Sequence, residues 1–292
     1  MYPPKILHWS FILSEPRNLP RLEILPLEKL ILHEYHDTQR TLPIVRAIEE
    51  SGILRNPPIV MPLEDGTGRY MVLDGANRTT ALQEMKIPHT VAQVVQADDP
   101  GLELNPWNHV VWGASPDRFL DWARAVPDLT LLPSAEEHLF RDLLDVHSLA
   151  LLQLADGRIY TAYAQTLELM TRVRVLNELV RSYAHRTLMD RTTNYKVASL
   201  LGLYKDLSGL VLLPPFEVDD VLCLAGEGCL MPAGSTRFSI TGRALHVNFP
   251  LGILSSDLSL EEKNDQLQEW LQDSLARKRV RYYAEPIFMF DE

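Results

Sequence analysis

Residues 71–82, MVLDGANRTTAL, join an apolar segment directly to a helical pattern. Three apolar residues precede Asp74 and Gly75, and no linker separates these two residues from the helical pattern. Because a strand that turns straight into a helix is typical of mixed α/β units, the segment predicts a strand ending at Asp74 and a helix starting near Asn77. The flanking segments extend this pattern over residues 20–97.

The same junction contains groups suited to binding phosphate. The first N–H groups of a helix are unpaired and carry a partial positive charge, and a glycine lets an anion approach the backbone closely. Asp74 is a candidate ligand of Mg²⁺, which is commonly held by one or two carboxylates together with substrate phosphates. Arg78, one turn into the helix, could contact two phosphate oxygens. The alternative is that Asp74 only caps the helix and that Arg78 is solvated.

Composition excludes several classes of protein. The 292 residues are 46% hydrophobic, which is enough for one large or two moderate cores. A net charge of -11 repels nucleic acid and therefore argues against DNA binding. The two cysteines, Cys223 and Cys229, do not form a secreted disulfide framework. Residues 1–16 are too polar for a signal peptide or a membrane span, so we expect a cytoplasmic protein that does not enter membranes.

A change of pattern near residue 98 predicts two domains. Residues 20–97 alternate short strands with helices and include a hairpin whose turn is residues 64–68. Residues 98–292 predict a second domain, of the α+β class. Its predicted elements are a hairpin turning at Asp156 and Gly157, a helix over residues 166–184, a short helix within residues 212–228, a hairpin turning at Gly242, capped helices starting at Ser134 and Ser259, and a strand near residues 280–290.

The order of elements over residues 20–97 resembles the ParB/sulfiredoxin-like superfamily, whose phosphate-binding turn is Gly-x-x-Arg. Three branches differ at this turn. Sulfiredoxins have a cysteine where this chain has Ala76. The chromosome-partitioning branch has a second arginine and a basic recognition helix, and neither is found here. The free L-serine kinases have Asp-Gly-x-His-Arg, which matches Asp74, Gly75 and Arg78 but has histidine in place of Asn77.

Further segments resemble the serine kinases of siderophore biosynthesis. LILHEYHD, residues 30–37, is similar to their Leu-His-Glu segment and implies that Glu34 is the catalytic carboxylate. NPWNH, residues 105–109, is similar to their Trp-x-His element, which matches Trp107 and His109. MPAGSTRFSITGRALHVNFPL, residues 231–251, matches a carboxy-terminal segment of the same family from Pro232 to Arg243.

Within that carboxy-terminal segment, Arg237 suits a substrate carboxylate because a guanidinium can donate to two oxygens at once. Ser239 and Thr241 follow at a spacing of two residues and would share its face of a strand, whereas Phe238 and Ile240 would face the core. The alternative is an ordinary surface hairpin. A basic cluster at residues 276–281 fits a helix end or a phosphate contact.

The resemblance implies transfer of the terminal phosphoryl group of ATP to free L-serine, with Mg²⁺ as cofactor. Glu34 and Asp74 are the predicted catalytic residues. The predicted nucleotide-binding residues are Asp74, Gly75, Ala76, Asn77, Arg78 and Thr79. The predicted substrate-binding residues are Trp107, His109, Arg237, Ser239 and Thr241.

A different class stays open at this point, namely an inactive nucleotide-binding regulator that contacts DNA. Asn77 favours the regulator because an asparagine offers phosphate only neutral hydrogen bonds. Glu34, Arg237 and the negative net charge favour the enzyme. His33 and His36 flank Glu34, but the segment offers no clear third ligand for a metal. The donor nucleotide, close analogues of serine and the oligomeric state are also open.

Overall fold

Short apolar segments form two main sheets in the computed structural model, which describes residues 19–35 and 41–283. The chain is therefore of the α/β class, as expected. The described strands are β1 Leu22–Pro26, β2 Leu30–Leu32, β3 Ile53–Leu54, β4 Ile59–Pro62, β5 Tyr70–Asp74, β6 His89–Val94, β7 Leu102–Pro106, β8 Asn108–Trp112, β9 Leu129–Ser134, β10 Ser148–Leu154, β11 Ile159–Ala164, β12 Leu188–Thr192, β13 Leu207–Leu212, β14 Thr236–Ile240 and β15 Phe249–Pro250.

Eight α-helices lie within the described ranges, and short 3-10 turns occur at Leu27–Lys29, Glu136–His138 and Val197–Leu200. The helices are α1 Thr41–Ser51, α2 Ala76–Glu84, α3 Pro116–Arg124, α4 Leu139–Leu143, α5 Leu169–Ala184, α6 Val218–Gly226, α7 Leu251–Ser255 and α8 Leu260–Ala276. None of these helices is long and apolar enough to cross a membrane. The first 18 residues, which include the segment tested as a signal peptide, and His36 lie outside the described residues.

The first sheet has the strand order β1-β6-β4-β5-β2. β4 and β5 form the predicted antiparallel hairpin, whereas β2 runs parallel to β5. The predicted junction is confirmed, since β5 ends at Asp74 and α2 begins at Ala76. Parallel pairing places the carboxyl ends of β2 and β5 at one edge of the sheet.

The carboxy-terminal segment returns to this first sheet. Phe249, Leu254 and Leu267 are buried in one cluster with Ile24 of β1 and Leu82 of α2. The predicted cap of α8 is confirmed, because Ser259 and Glu262 form a reciprocal capping box. The division into residues 20–97 and 98–292 stays a prediction, and these contacts add that the last helices pack on the first sheet.

The second main sheet is antiparallel, with the order β12-β8-β13-β10-β11-β9. The predicted hairpin around Asp156 and Gly157 is confirmed as β10 and β11. The helix predicted over residues 166–184 is α5, and it packs against the sheet through Leu176 and Leu179.

The hairpin predicted around Gly242 is wrong. β14 pairs with β7, and β15 pairs with β3. Alternation of apolar residues predicts a strand correctly but does not specify its partner. As expected, Phe238 and Ile240 pack among apolar residues, in a cluster that includes Met71 of β5. β14 therefore lies against the sheet that carries Asp74.

One further prediction at an element end is corrected, and a second is tested only in part. Ser134 does not cap a helix, because it ends β9 and its hydroxyl donates to Asp142 at 2.5 Å. The strand predicted near the carboxyl terminus is not found at residues 280–283, and residues 284–292 lie outside the described residues. At Ser134 the hydroxyl that would cap a helix instead bonds to Asp142, eight positions later.

Candidate functional site

Two carboxylates follow neighbouring parallel strands at the same edge of the first sheet. Leu32 of β2 is in register with Val72 of β5. Glu34 and Asp74 each lie two residues beyond that pair, and neighbouring strands are about 4.8 Å apart. The structure therefore places these two predicted catalytic residues at one edge, although they are 40 positions apart in the sequence.

Asp74 is ion-paired with two arginines. Arg78 donates through Nη2 to Asp74 Oδ2 at 3.0 Å, and Arg243 Nη2 also donates to Oδ2. The N-cap of α2 is Gly75, and no side chain caps this helix. Asp74 consequently does not act as a helix cap. Its carboxylate instead holds the guanidinium groups of Arg78 and Arg243 beside the start of α2.

No side chain caps the backbone N–H groups at the start of α2. Gly75 has φ +94°, and a Cβ there would lie 3.1 Å from Pro58 and 3.0 Å from Arg78 Nη2, so the turn requires glycine. The first N–H groups of a helix have no partner inside it. The buried side-chain atoms Asn77 Oδ1 and Thr79 Oγ1 have no hydrogen bond in the described part of the chain. These polar groups, with Ala76 at the first helical position, form the predicted phosphate turn.

Glu34 is held by the segment at residues 231–236. Its Oε2 accepts hydrogen bonds from Gly234 N and from Thr236 Oγ1, both at 3.1 Å. Two backbone hydrogen bonds also join the segments on either side of Glu34. Met231 N donates to His33 O at 2.7 Å, and Tyr35 N donates to Met231 O at 3.0 Å. Within the described ranges Oε1 has no hydrogen-bond partner, so one carboxylate oxygen is available to a substrate.

Gly234 contacts Glu34, His109 and Arg191. Its φ of +69° and the guanidinium of Arg191, which occupies the place of a Cβ, both require glycine. Its N–H donates to Glu34, and its carbonyl accepts from His109 Nε2 at 2.9 Å. Arg191 lies opposite His109 in the pairing of β12 with β8.

His109 is fully buried, with an exposed fraction of 0%. The carbonyl of Gly234 can only accept, so Nε2 carries the proton and Nδ1 accepts from Tyr183 Oη at 2.8 Å. Desolvation lowers the pKa of His109 to about 4, so the ring is neutral at pH 7. Direct contact between His109 and a substrate stays a prediction, and in this structure the ring reaches the site through Gly234.

Arg237 and Trp107 contact one another. The guanidinium lies over the indole ring, 5.1 Å from its centroid, which is a cation–π arrangement. β14 places Ser239 on the same face as Arg237, and Thr241 follows directly, with its backbone N–H bonded to Gly101 O at 3.1 Å. Most of the predicted substrate residues are thus brought onto β14 and the adjoining end of β7.

Three residues of the site were missed at the level of sequence. Arg243 could have been identified from the sequence, because it is the last residue of the matched carboxy-terminal segment. Thr236 precedes Arg237, but its bond to Glu34 could not be inferred from local pattern. Arg191 lies on an edge strand in a region that matched no motif.

In the part of the chain that the structure describes, no metal site is built from protein ligands alone. No group of three or more His, Cys, Asp or Glu residues suited to a metal occurs among residues 19–35 and 41–283. His33, considered as a ligand, instead uses both ring nitrogens in hydrogen bonds, to Val72 O and to Thr236 Oγ1 at 2.7 Å each. The second histidine of that segment, His36, lies outside the described residues.

The fold is that of free serine kinases of known structure. A solved structure of carboxy-terminally truncated SbnI from Staphylococcus aureus superposes with a TM-score of 0.69 at 22% identity, covering 87% of this chain and 97% of that one. A free serine kinase in complex with AMP superposes with a TM-score of 0.63 at 14% identity, covering 81% and 95%. No family model matches the chain.

The sequence itself is similar to a particular curated protein. It is 26% identical over 291 positions to the ATP-dependent L-serine kinase SbnI of Staphylococcus aureus (strain NCTC 8325 / PS 47), an alignment that covers 93% of this chain and 97% of the relative. An ATP-dependent L-serine kinase of Staphylothermus marinus is 26% identical over 91 positions, 31% of this chain and 36% of that protein. The predicted closeness to free serine kinases is confirmed.

Proposed function

We propose that the protein is an ATP-dependent kinase of free L-serine, with O-phospho-L-serine and ADP as products. The observation that carries the proposal is the placement of Glu34 and the Asp74–Arg78 turn at one edge of the first sheet. Similarity to SbnI along nearly its whole length supports the same reaction. We further propose that it acts in the cytoplasm, and a place in siderophore biosynthesis stays a prediction.

Glu34 is the proposed general base. Phosphoryl transfer to an alcohol needs a positioned hydroxyl, a group that accepts its proton and positive charge around the phosphates. Oε2 of Glu34 is held by Gly234 and Thr236, so Oε1 is the oxygen that would face serine. The serine hydroxyl loses its proton to Glu34 as its oxygen bonds to the γ-phosphorus, and the bond from that phosphorus to the β,γ-bridging oxygen breaks to release ADP.

The start of α2 is the proposed nucleotide site. Its unpaired N–H groups would bind phosphate oxygens, and Arg78 and Arg243 would supply positive charge. Asn77, which stands where the resembled kinases have histidine, would contribute neutral hydrogen bonds. In this chain the arginines at the turn would therefore supply the positive charge to which a histidine would contribute in the resembled kinases.

Asp74 fits the proposed Mg²⁺ only in combination with phosphates. Both arginines bind Oδ2, and Oδ1 has no partner among the described residues, which leaves one carboxylate oxygen for a metal. A single carboxylate is sufficient when substrate phosphates supply further ligands. When bound, Mg²⁺ would neutralise charge on the transferring phosphoryl group.

The Asp74→Asn variant tests this metal contact. In the presence of Mg²⁺ we expect ATP to bind more weakly than to the wild type, because the bridge through the metal is lost. In EDTA we expect no weakening, because the variant releases the two arginines toward the phosphates. Isothermal titration with ATP in both buffers measures the difference.

Arg243→Gln is the matched control for Asp74→Asn. It removes a positive charge from the same turn without touching a carboxylate, so ATP binding should weaken in both buffers. Equal weakening of Asp74→Asn with and without Mg²⁺ would exclude a metal contact at Asp74.

Arg237 is the proposed partner of the serine carboxylate, beside Trp107. Its guanidinium contacts the indole face, and its Nε is buried without a hydrogen bond among the described residues. A carboxylate arriving there would meet two parallel N–H donors. Ser239, on the same face of β14 as Arg237, and Thr241, directly after the strand, would contact the rest of the amino acid.

Arg237→Lys keeps the charge but loses the planar pair of donors, so serine should bind more weakly. Since a hydrogen bond to a charged group contributes about 1.5 to 3 kcal/mol, the KM for serine should rise roughly 10- to 150-fold. The KM for ATP should change little. Steady-state kinetics with serine and with serinamide, which lacks the carboxylate, measures the effect. An equal loss for both substrates would remove Arg237 from the carboxylate site.

The proposed reaction is tested with purified protein, Mg²⁺ and ATP, supplied with each free amino acid in turn. Phosphorus NMR should show a new phosphomonoester signal with L-serine and the matching release of ADP. The same signal with another amino acid in place of serine would change the proposed substrate. A protein that binds nucleotide, transfers no phosphoryl group and retains DNA at physiological salt would instead be a regulator.

A further inference from the structure

A chain of hydrogen bonds runs from the core of the first sheet to Glu34. His33 is 3% exposed, and its Nδ1 lies 2.7 Å from Val72 O. Its Nε2 lies 2.7 Å from Thr236 Oγ1, and the same hydroxyl lies 3.1 Å from Glu34 Oε2. One threonine hydroxyl therefore connects a buried imidazole with the proposed base.

The protons of this chain can be counted. The carbonyl of Val72 only accepts, so Nδ1 of His33 must donate to it. Thr236 has one hydroxyl proton for two neighbours. If Thr236 donates to His33, Glu34 must be protonated in order to donate to Thr236. If Thr236 donates to Glu34, the Nε2 of His33 must carry a proton, and the ring is then an imidazolium.

The contacts of Glu34 distinguish these two arrangements. Its Oε2 also accepts the N–H of Gly234 at 3.1 Å. An ionised carboxylate oxygen accepts two hydrogen bonds well, and such donors favour the charged form of the carboxylate. The protonated oxygen of a carboxylic acid accepts poorly. The second arrangement, with charged His33 and ionised Glu34, satisfies all four groups.

The other charged groups around His33 are already occupied. Arg237, next to Thr236 on β14, lies over Trp107. Asp74, two residues beyond Val72, is paired with Arg78 and Arg243. The remaining ring contact is the uncharged Phe238, whose centroid is 5.4 Å from that of His33. Glu34, through Thr236, is thus the counter-charge that the described contacts give His33.

We propose that His33 is a positively charged positioning residue, whose imidazolium directs the Thr236 hydroxyl to Glu34. This contact fixes Oε2 of Glu34 and leaves its Oε1 to accept the proton of the substrate hydroxyl. The assignment of a charge to His33 rests on the pattern of these hydrogen bonds and on no activity. The catalytic consequence rests on the proposed serine kinase activity.

Ring nitrogen NMR tests the charge without any activity measurement. In uniformly ¹⁵N-labelled protein at pH 7, both ring nitrogens of His33 should give the chemical shifts of N–H, with the signals assigned through a His33→Gln variant. In Glu34→Leu no side-chain oxygen accepts from Thr236, so its hydroxyl should donate to His33 and Nε2 should lose its proton. An unprotonated Nε2 in the wild type, or an unchanged ring in Glu34→Leu, would overturn the proposal.

Thr236 variants test the connection. Thr236→Ser retains the hydroxyl and should keep Nε2 protonated with kcat within threefold of the wild type. Thr236→Val removes it, so Nε2 should lose its proton and kcat should fall roughly 100-fold as the base loses its fixed orientation. The KM for ATP should not change in either variant.

Thr90→Val is the matched control, since Thr90 is a fully buried threonine of the same sheet whose hydroxyl bonds only to the Val91 carbonyl in the described region. It should retain both the His33 ring signals and kcat. Equal kinetic loss in Thr236→Ser and Thr236→Val would overturn the role of the hydroxyl. A wild type without serine kinase activity would refute the proposed function, while the ring nitrogen result would still decide the charge of His33.

Discussion

Replacing Glu34 by glutamine is expected to lower kcat for serine by roughly 10²- to 10⁴-fold, the range for loss of a general base. The side chain keeps its size, and the amide oxygen can still accept from Gly234, so the segment at residues 231–236 should stay in place. The affinity for ATP should remain within about threefold of the wild type, because the proposed nucleotide turn is on α2. Steady-state kinetics and calorimetric titration with ATP measure the two effects.

Glu49→Gln is the matched control for this change. Glu49 is exposed on α1, and its replacement removes the same negative charge from the same sheet-and-helix unit. It should leave kcat unchanged. If Glu34→Gln retained kcat within threefold of the wild type, another group would be the base.

Acidification is expected to destabilise the protein through His109. Burial lowers the pKa of His109 from 6.5 to about 4, so the unfolded chain binds a proton in this range that the folded chain does not. Stability from this group is fully present above about pH 6.5 and is lost as the pH falls toward 4. A shift of this size corresponds to about 3 kcal/mol of unfolding free energy.

Urea denaturation between pH 7 and pH 4 measures this loss as the difference between wild type and variants. His109→Gln retains a donor for the Gly234 carbonyl but does not titrate. The fall in its unfolding free energy between pH 7 and pH 4 should therefore be about 3 kcal/mol smaller than that of the wild type. His185→Gln is the control, because His185 is exposed and should leave the pH dependence unchanged. Identical pH dependence in wild type and His109→Gln would show that His109 does not remain neutral in the folded state.

His109 also connects stability with the site. Its Nε2 binds the carbonyl of Gly234, and the N–H of Gly234 binds Glu34. A buried neutral ring that donates at one nitrogen and accepts at the other specifies one orientation of this peptide. The orientation of the proposed base thus depends on a residue of the second sheet.

The junction at Asp74 and Gly75 was predictable because its signals are local. An apolar strand, a glycine with positive φ and a helical pattern follow one another within 12 residues, and each element depends mainly on its own side chains. The β4–β5 hairpin and the capping box of α8 were predicted for the same reason. The family resemblance at the matched segments supplied Glu34 and Arg237.

The partners of these elements depend on contacts between distant residues. β14 was expected to fold back on the residues that follow it, yet it pairs with β7, whose paired residues lie 130 to 138 positions earlier. The fold thereby brings Thr236 and Gly234 to Glu34 and Arg243 to Asp74. Alternating apolar residues specify which face of a strand is buried, but many strands can satisfy the same backbone hydrogen bonds. The choice among them is made by the packing of the whole core, because only there do the buried surfaces of β14, the first sheet and the last helices fit together.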